Sequence, residues 1–504
     1  LEAETSGGYC LPEAQLAVSG IEVARSIYDT LTAPNEDGEI VPFLAESVEH
    51  DDAYQEWTIT LRPDVTFHDG TPVDAEIVRD NLDAYRGAYK DGSGELIRNP
   101  LLSVFTFTDV ESIEATDDRT VTVSTSRPWV AFDWFLWSNY AFGIMARAQL
   151  DAPAEECSTE MIGTGPFVLD SWTVNSELVV TRNEDYWRVD AAGGQLPYLD
   201  RITFKPIPEV AQRINALESG QIDITHTSDT EQIADRLRPL VDDGTLTSVE
   251  SDAFGEVNYI MLNSGVAPFD DENARLAVAH ALDRELLRDV RGGGIGTLAQ
   301  GPFQDDVVGY VEDTGYPEFD LDAAAAAAEA YEAENGEPLS FSYSFAGTEA
   351  GTLLAQEIQQ QLGEAGIDMR LSPSGDQATA LNAVISGDFQ AVSFRNHAGG
   401  DPDMQYDWWY SASPVNFGRI DDTEVDDLLD AGRTATEGRD QIYEDLNRRL
   451  GEQAFNLWTS FTLWGIFSDP SVHGIAGPPL PDDAGGPFPG LANGHDVAGL
   501  WRST

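Results

Sequence analysis

The chain has 504 residues, of which 41% are apolar and 10% aromatic, so it is long enough for two or three domains and too rich in aromatic residues to be disordered. Its 28 basic and 89 acidic side chains give a net charge of −61, which excludes nucleic acids and anionic membrane surfaces as partners because both are negatively charged. Apolar stretches stay shorter than the roughly 20 residues of a membrane span. The first residues do not show the basic segment followed by an apolar segment that is typical of a signal peptide. We interpret the acidity as a solubility or salt-tolerance feature or as a codon bias of the lineage.

Predicted strands and helices alternate along the chain, which is typical of mixed α/β domains. Alternating apolar residues predict strands over 55–67, 119–125, 167–180 and 222–224. Apolar spacing and capping residues predict helices over 74–84, 209–219, 272–290, 322–334 and 352–362. The Pro- and Gly-rich residues 470–504 are predicted to form an extended tail on the surface.

Motifs that resemble catalytic sites have better structural explanations. His68 precedes Asp69, but adjacent side chains point apart and the following Gly-Thr-Pro fixes a turn. Residues 163–166 lack the Gly-Lys-Ser/Thr ending of a phosphate loop, and the seven histidines have no metal-ligand spacing. We therefore predict a protein that is not an enzyme and that has no cofactor or metal. A hydrolase, such as a glycoside hydrolase with aromatic subsites, is the remote alternative.

The chain has two cysteines, Cys10 and Cys157. They could form one disulfide in an oxidising compartment or remain two unrelated thiols, and the sequence leaves both open. Neither has a neighbouring Cys or His at metal-ligand spacing.

Several short sequence patterns follow one another in order along the chain. The longest pattern comprises Phe-Leu-Ala-Glu-Ser at 43–47, Thr-Ile-Thr-Leu-Arg-Pro-Asp-Val at 58–65 and Phe-His-Asp-Gly-Thr-Pro at 67–72. Shorter patterns are Gly-Thr-Gly-Pro-Phe at 163–167, Arg-Asn at 182–183 with Tyr-Trp at 186–187, Ala-Leu-Asp-Arg at 281–284 and Asp-Pro-Asp at 401–403. These patterns occur in the order in which they occur in the family 5 extracellular solute-binding proteins, the peptide- and nickel-type receptors of ABC importers. The chain resembles that family over about residues 25–470.

The resemblance implies a mixed α/β (α+β) architecture, the two-lobed type II fold of periplasmic binding proteins with an extra domain inserted in the first lobe. Mapped onto this chain, lobe I comprises 1–43, 162–258 and 470–504, the extra domain 44–161, and lobe II 259–469. A ligand that contacts both lobes binds the closed form more tightly and shifts the population to it.

The implied function is that of a receptor that captures a solute and delivers it to an ABC transporter permease in the membrane. The implied location is outside the cytoplasm, periplasmic or extracellular, with a lipid anchor on the outer face of the membrane left open. We expect a monomer that binds a small molecule or a peptide.

The candidate ligand-binding residues cluster where a predicted strand ends in two glycines and an aromatic run follows. Trp and Tyr can sandwich a ligand, and Arg395 can pair with a ligand carboxylate. Two adjacent tryptophans on a helix cannot both face one core, so at least one of Trp408 and Trp409 is expected to line the cleft. The predicted set from this segment is Arg395, Asn396, His397, Asp401, Asp403, Tyr406, Trp408, Trp409 and Tyr410.

Further candidates lie in other parts of the chain, namely Phe254, Asn258, Trp134, Trp137 and Asn139. Peptide-binding members of the family commonly place an Asp four residues before the Pro of the Asp-Pro pair, where it holds the ligand's α-amino group. That position is Ala398 here. Asp401 or Asp403 could substitute, or the ligand could lack a free amine at that point. A peptide is the first prediction for the ligand, and an oligosaccharide or an opine-like solute is the alternative.

Overall fold

The computed structural model describes residues 1–504 apart from 4, 6, 15, 138–141, 376, 398 and 504, and it describes the backbone but not the side chains of 377–381, 397 and 493. The chain divides into two units by its internal contacts. Unit 1 comprises Leu1–Ser228, Arg236–Ser251 and Trp464–Thr504, and unit 2 comprises Asp229–Asp235 and Asp252–Leu463. The separate extra domain over 44–161 stays a prediction.

The strands are numbered in chain order. They are β1 (Thr32–Pro34), β2 (Ile40–Pro42), β3 (Ala45–His50), β4 (Glu56–Leu61), β5 (Val110–Ala115), β6 (Thr120–Thr125), β7 (Phe167–Thr173), β8 (Glu177–Arg182), β9 (Arg201–Phe204), β10 (Ile224–Thr227), β11 (Thr247–Ser251), β12 (Glu256–Leu262), β13 (Ser340–Ala346), β14 (Asp368–Ser374), β15 (Ala391–His397), β16 (Asn456–Phe461), β17 (Trp464–Ser468), β18 (Val472–His473) and β19 (Trp501–Arg502).

The helices are numbered in the same way. They are α1 (Val18–Ile27), α2 (Ala75–Tyr85), α3 (Ser103–Thr106), α4 (Phe132–Phe135), α5 (Arg147–Leu150), α6 (Ala154–Thr159), α7 (Val210–Glu218), α8 (Thr230–Gln232), α9 (Arg238–Asp242), α10 (Glu272–His280), α11 (Arg284–Arg291), α12 (Leu321–Asn335), α13 (Glu349–Glu364), α14 (Gln377–Ser386), α15 (Tyr406–Trp409), α16 (Thr423–Thr434) and α17 (Arg439–Glu452). A π-helical segment spans Ile233–Leu237, and 3₁₀ turns span Pro402–Gln405, Pro481–Asp483, Leu491–Asn493 and Val497–Gly499.

Unit 1 contains separate small sheets. A four-stranded antiparallel sheet has the order β3-β4-β6-β5, and two three-stranded sheets have the orders β7-β8-β9 and β10-β17-β11. Trp57, Ile59 and Leu61 of β4 are buried, as their alternation predicts. The disulfide between Cys10 and Cys157 joins the amino-terminal segment to α6.

Unit 2 is built on one five-stranded mixed sheet with the order β14-β13-β15-β12-β16. Strand β13 runs parallel to β14 and to the central β15, whereas β12 runs antiparallel to β15 and β16. Strands β12, β15 and β16 come from distant parts of the chain, so this sheet brings residues near 258, 395 and 460 side by side.

Several predicted elements are confirmed, and a capping residue explains each start. Asp74 caps α2 by accepting a hydrogen bond from the Ile77 amide. The predicted helix over 322–334 is also present, and Asp320 caps it, because the Asp320 carboxylate accepts bonds from two amides of the first turn.

Two predicted elements are each divided into two elements in the structure. Residues 167–182 form a hairpin of β7 and β8, and Asn175 has a positive φ of 59° in the turn between them, a conformation that Asn tolerates. The predicted helix over 272–290 is interrupted, because the Asp283 side chain caps a second helix by accepting a bond from the Leu286 amide. Leu286 and Val290 are consequently exposed and not part of a core.

The carboxyl-terminal residues 470–504 are not the predicted surface tail. Val497, Ala498 and Leu500 are buried in unit 1. The Asp496 carboxylate accepts a 2.6 Å hydrogen bond from the buried Arg188 guanidinium. Prolines and glycines shape turns here that still deliver apolar side chains to the core, which composition alone does not reveal.

Candidate functional site

The sheet of unit 2 has a polar face and an aromatic face where β12, β15 and β16 meet. Asn258 pairs with Arg395 of β15 and with Ser460 of β16. The next residue, Tyr259, pairs with Phe394 and Trp458. Because successive side chains of a strand point to opposite faces, Arg395 does not share a face with the aromatic residues that surround it in sequence.

We call Arg395, Asn258 and Ser460 the polar row. The Arg395 guanidinium lies 3.1 Å from the carboxylate of Glu256, whose side chain is 5% exposed, whereas 35% of the Arg395 side chain is exposed. The Asn258 amide donates to Thr462 Oγ1 over 2.9 Å and to the Ser460 carbonyl over 3.3 Å. These contacts fix the orientation of the polar groups. Asn258, Ser460 and Thr462 lie within a few residues of positions 251/252 and 463/464, where the chain passes from one unit to the other.

The opposite face is an aromatic core centred on Tyr259. Its ring centroid lies 5.8 Å from that of Phe394, 6.0 Å from that of Trp409 and 5.1 Å from that of Trp458. Trp409 is only 2% exposed and belongs to this core. Its neighbour Trp408 is half-buried, and its ring contacts Phe394 at 5.8 Å. The two tryptophans therefore differ in burial, although both rings pack on the aromatic cluster. That at least one of them lines a ligand cleft stays a prediction.

Two buried ion pairs hold the segment between β15 and α15. Asp401 accepts two 2.8 Å bonds from the Arg439 guanidinium, and it also caps the 3₁₀ turn through the Asp403 amide. Asp403 accepts a 2.9 Å bond from Arg433 Nε, with both side chains at most 1% exposed. Burial alone would lower the pKa of Arg439, but the hydrogen bonds and charge of Asp401 raise it. Both carboxylates are thus engaged by arginines inside unit 2.

The other predicted residues of this segment serve its packing. Asn396 is buried and donates to Gln405 over 2.7 Å. Tyr406 donates to Asp430 over 2.7 Å, and Tyr410 stacks on its ring. The side chain of His397 and all of Ala398 lie outside the described residues.

The remaining candidates are Phe254, Trp134, Trp137 and Asn139. Phe254 is buried with a positive φ of 47°, and its amide donates to Asp306 over 2.7 Å. Trp134 and Trp137 are buried in unit 1, where their rings meet edge to face at 5.7 Å. Asn139 lies outside the described residues.

His68, which stands next to Asp69, has a structural role. The Gly163 amide donates to His68 Nδ1 over 3.3 Å, and His68 Nε2 lies 3.0 Å from the Gly165 carbonyl. The ring is therefore neutral, with its proton on Nε2. Burial lowers the pKa of His68 to about 4. A neutral imidazole bridging two backbone groups holds the 163–166 turn.

The same turn takes part in a buried network around Asp29. The Asp29 carboxylate accepts hydrogen bonds from Thr164 Oγ1 (2.9 Å), Trp187 Nε1 (2.8 Å) and the Tyr186 hydroxyl (3.2 Å). Burial raises the pKa of Asp29, while the bonds from Trp187 and Thr164 lower it. The Gly-Thr-Gly-Pro and Tyr-Trp patterns of the sequence are thus parts of one structural network of unit 1.

Sequence reasoning missed Glu256, Ser460 and Thr462. No local signal marks them, because Ser and Thr in a strand are ordinary and their position follows only from the pairing of β12 with β16.

Among the described residues, no helix is long and apolar enough to cross a membrane. Within the same part of the chain, no three His, Cys, Asp or Glu side chains are grouped as a metal site requires.

Solved structures of binding proteins share this fold along the whole chain. AgaA from A. tumefaciens R10, in complex with agropinic acid, superposes with a TM-score of 0.83 at 23% identity, covering 100% of this chain and 98% of AgaA. DppA from Helicobacter pylori, in complex with the peptide STSA, gives a TM-score of 0.83 at 20% identity, covering 100% and 97%. The fold is that of the periplasmic binding proteins, which confirms the predicted fold class.

Sequence relationships define the family. The middle region of the bacterial extracellular solute-binding proteins, family 5, matches residues 39–417. The probable D,D-dipeptide-binding periplasmic protein DdpA of Escherichia coli K12 is 27% identical over 396 residues, covering 77% of this chain and 72% of DdpA. The nickel-binding periplasmic protein of the same organism is 26% identical over 476 residues, covering 90% and 87%. The chain belongs to the bacterial extracellular solute-binding proteins, family 5.

Proposed function

We propose that this solute-binding protein is an exported receptor that binds a peptide and passes it to the permease of an ABC importer. The observation that carries the proposal is the family match over residues 39–417. Relatives at similar identity support the ligand class, because DdpA is named for D,D-dipeptides and GsiB of Pectobacterium atrosepticum, 29% identical over 364 residues, is named for glutathione. The role is binding and not catalysis.

We assign the ligand contacts of unit 2 to the polar row. Arg395 offers a partly exposed guanidinium for a carboxylate, and Asn258 and Ser460 offer an amide and a hydroxyl beside it. Their hydrogen bonds within the sheet orient them before a ligand arrives, which reduces the entropy lost on binding. Trp409, Asp401 and Asp403 support this region from the interior.

An opine-like solute or an oligosaccharide is the second candidate. The observation that favours it is the engagement of Asp401 and Asp403 by Arg439 and Arg433. A ligand ammonium would have to displace a buried arginine to reach either carboxylate, which is costly because the arginine would lose its counter-charge. A ligand without a free amine at this segment meets no such cost.

Thermal-shift measurements distinguish these candidates. A ligand present at 100 times its Kd stabilises the protein by about 2.7 kcal/mol. Di- and tripeptides are tested with free and with acetylated amino ends, beside opines, oligosaccharides and Ni²⁺. Stabilisation by peptides supports the proposal. Stabilisation by opines or sugars alone would mean that the protein is a receptor whose ligand is not a peptide. Conversion of a stabilising ligand into products, detected by mass spectrometry, would contradict a binding role.

A further inference from the structure

The turn that leads into β12 has a strained backbone. Phe254 has a positive φ of 47°, a conformation that residues with a large side chain rarely adopt. Its side chain is nevertheless buried. At Gly255, a Cβ atom would lie 2.5 Å from the Asp252 carbonyl oxygen, so a side chain does not fit there. Such a turn persists only while the groups around it hold it in place.

Two aspartates of unit 2 hold this turn. The Phe254 amide donates to Asp306 Oδ2 over 2.7 Å, and Asp252 Oδ2 accepts a 2.7 Å bond from Thr297 Oγ1. All four residues belong to unit 2. The bond to Asp306 acts directly on the residue whose backbone is strained.

The surroundings of Asp306 suit a protonated carboxyl group better than a carboxylate. The side chain is half-buried. The charged groups that act on it most strongly are Asp305, on its own loop, and Asp252, on the turn, and both are negative. Burial and these two charges raise the pKa of Asp306 to about 6, although the bond from the Phe254 amide lowers it.

Two buried oxygens of the same loop also lack a hydrogen-bond donor. Asp306 Oδ1 and Gln304 Oε1 are buried, and neither has a partner among the residues that the structure describes. Buried acceptors without a donor destabilise a fold. A proton on Asp306 Oδ1 brings a donor to this loop, while Oδ2 keeps its bond from the Phe254 amide. The hydrogen bonding therefore also favours the neutral form of Asp306 in this arrangement.

We propose that Asp306 is a proton-operated latch, which holds the turn at 252–255 while it is protonated and loosens the turn when it is ionised. In the loosened turn, the Asp306 carboxylate turns towards solvent and away from Asp252, and the Phe254 backbone leaves its positive φ. The proton that Asp306 loses passes to water.

The latch acts on the polar row through the chain itself. The turn leads directly into Glu256, which pairs with Arg395, and then into Asn258. A loosened turn leaves the start of β12 less ordered, so the polar row is better oriented at acid pH. Tighter ligand binding at acid pH is a consequence that rests on the proposed function.

Hydrogen exchange of the full chain without ligand tests the latch at pH 5 and pH 8. Mass spectrometry follows the amides of 252–258, and the rates are corrected for the intrinsic pH dependence of exchange. Protection of these amides in the native protein is expected to fall by about tenfold or more from pH 5 to pH 8, because the folded turn binds a proton more tightly than the loosened turn does.

Two variants identify the group that titrates. In Asp306→Asn, the side-chain oxygen still accepts from the Phe254 amide and no charge develops, so protection should stay high at both pH values. Asp313→Asn is the matched control, because Asp313 is exposed and accepts a 2.9 Å bond from the Gly315 amide. This control should show the same pH dependence as the native protein.

Equal protection of 252–258 at pH 5 and pH 8 in the native protein overturns the proposal, and this comparison depends on no variant. A pH dependence that persists in Asp306→Asn also overturns it, because another group would then titrate. Since no ligand is present, neither result bears on the ligand class. Failure of the proposed function would instead appear as the absence of stabilisation by every ligand in the thermal-shift measurements.

Discussion

Arg433 of α16 donates from Nε to Oδ1 of Asp403 over 2.9 Å, and neither side chain has more than 1% of its surface exposed. The Arg433 guanidinium also lies 3.7 Å from the centroid of the Tyr406 ring. One arginine therefore fixes both the acidic turn and the first residue of α15. The position of Trp408, two residues further on, depends on this contact.

Removal of the Arg433 charge should destabilise the fold strongly. In Arg433→Met, Asp403 is left as a buried carboxylate without its counter-charge, a defect that typically costs about 3–5 kcal/mol. Arg448→Met is the matched control, since Arg448 pairs on the surface of α17 and its loss should cost under about 1 kcal/mol. Urea unfolding measures both. Equal losses in the two variants would contradict the role of the buried pair.

Stability should depend on pH through His68. Because burial lowers the pKa of His68 to about 4, the unfolded chain binds this proton more readily than the folded protein does. Stability is therefore retained above about pH 6.5 and falls by about 2–3 kcal/mol as the pH drops to 4. His68→Gln should flatten this part of the curve of unfolding free energy against pH. Parallel curves for the two proteins would exclude the effect.

The two tryptophans of α15 should respond differently to truncation. Trp409→Ala removes a buried ring from the core around Tyr259 and should cost about 3–5 kcal/mol. Trp408→Ala should cost far less stability, because its ring is half-buried. It should leave ligand affinity unchanged, because the ring packs on Phe394 on the face of the sheet opposite the polar row. Calorimetric titration with a ligand found by thermal shift gives the affinities. A loss of affinity in Trp408→Ala would place the ligand on the aromatic face and contradict the assignment to the polar row.

Asn258→Ala tests the polar row. The side chain orients Ser460 and Thr462, so its loss should weaken ligand binding by about tenfold or more, which corresponds to about 1.4 kcal/mol. Asn335→Ala is a suitable control, because Asn335 is exposed at the end of α12 and bonds Asp271. Affinity is measured at the same temperature for both. A comparable loss in the control would point to a general effect of amide removal.

Loss of the Cys10–Cys157 disulfide should cost about 2–5 kcal/mol, since the bond closes a long loop and restricts the unfolded chain. Cys10→Ser with Cys157→Ser is compared with the native protein by urea unfolding. Mass spectrometry after alkylation should find no free thiol before reduction and two afterwards. Two alkylated cysteines in an oxidised, unreduced sample would refute the bond.

Local sequence patterns predicted those strands and helices that are determined by interactions between residues close in sequence. The alternation of Trp57, Ile59 and Leu61 identified β4, and Asp74 identified the start of α2. The prediction of a continuous helix over 272–290 failed at Asp283, because a side chain that caps a new helix competes with the continuing backbone ladder and both readings fit the apolar spacing.

The candidate site was less predictable, because its neighbours are set by strand pairing. Arg395 and Trp408 are close in sequence, yet they belong to opposite faces of the sheet. Asn258 and Ser460 are far apart in sequence and become neighbours through β12 and β16. With 89 acidic side chains, nothing local distinguishes Asp403, which lies in the core beside Arg433, from a solvated carboxylate.

The cross-link between Cys10 and Cys157 spans 147 positions of the chain and encloses the exposed turn at 91–94. A protease that cuts in this turn would separate the backbone without releasing a fragment. Such a nicked protein would keep its full mass on a gel until a reducing agent is added. Outside a cell, where proteases are common and reductants scarce, this bond makes the integrity of unit 1 tolerant of cleavage at one of its most accessible places.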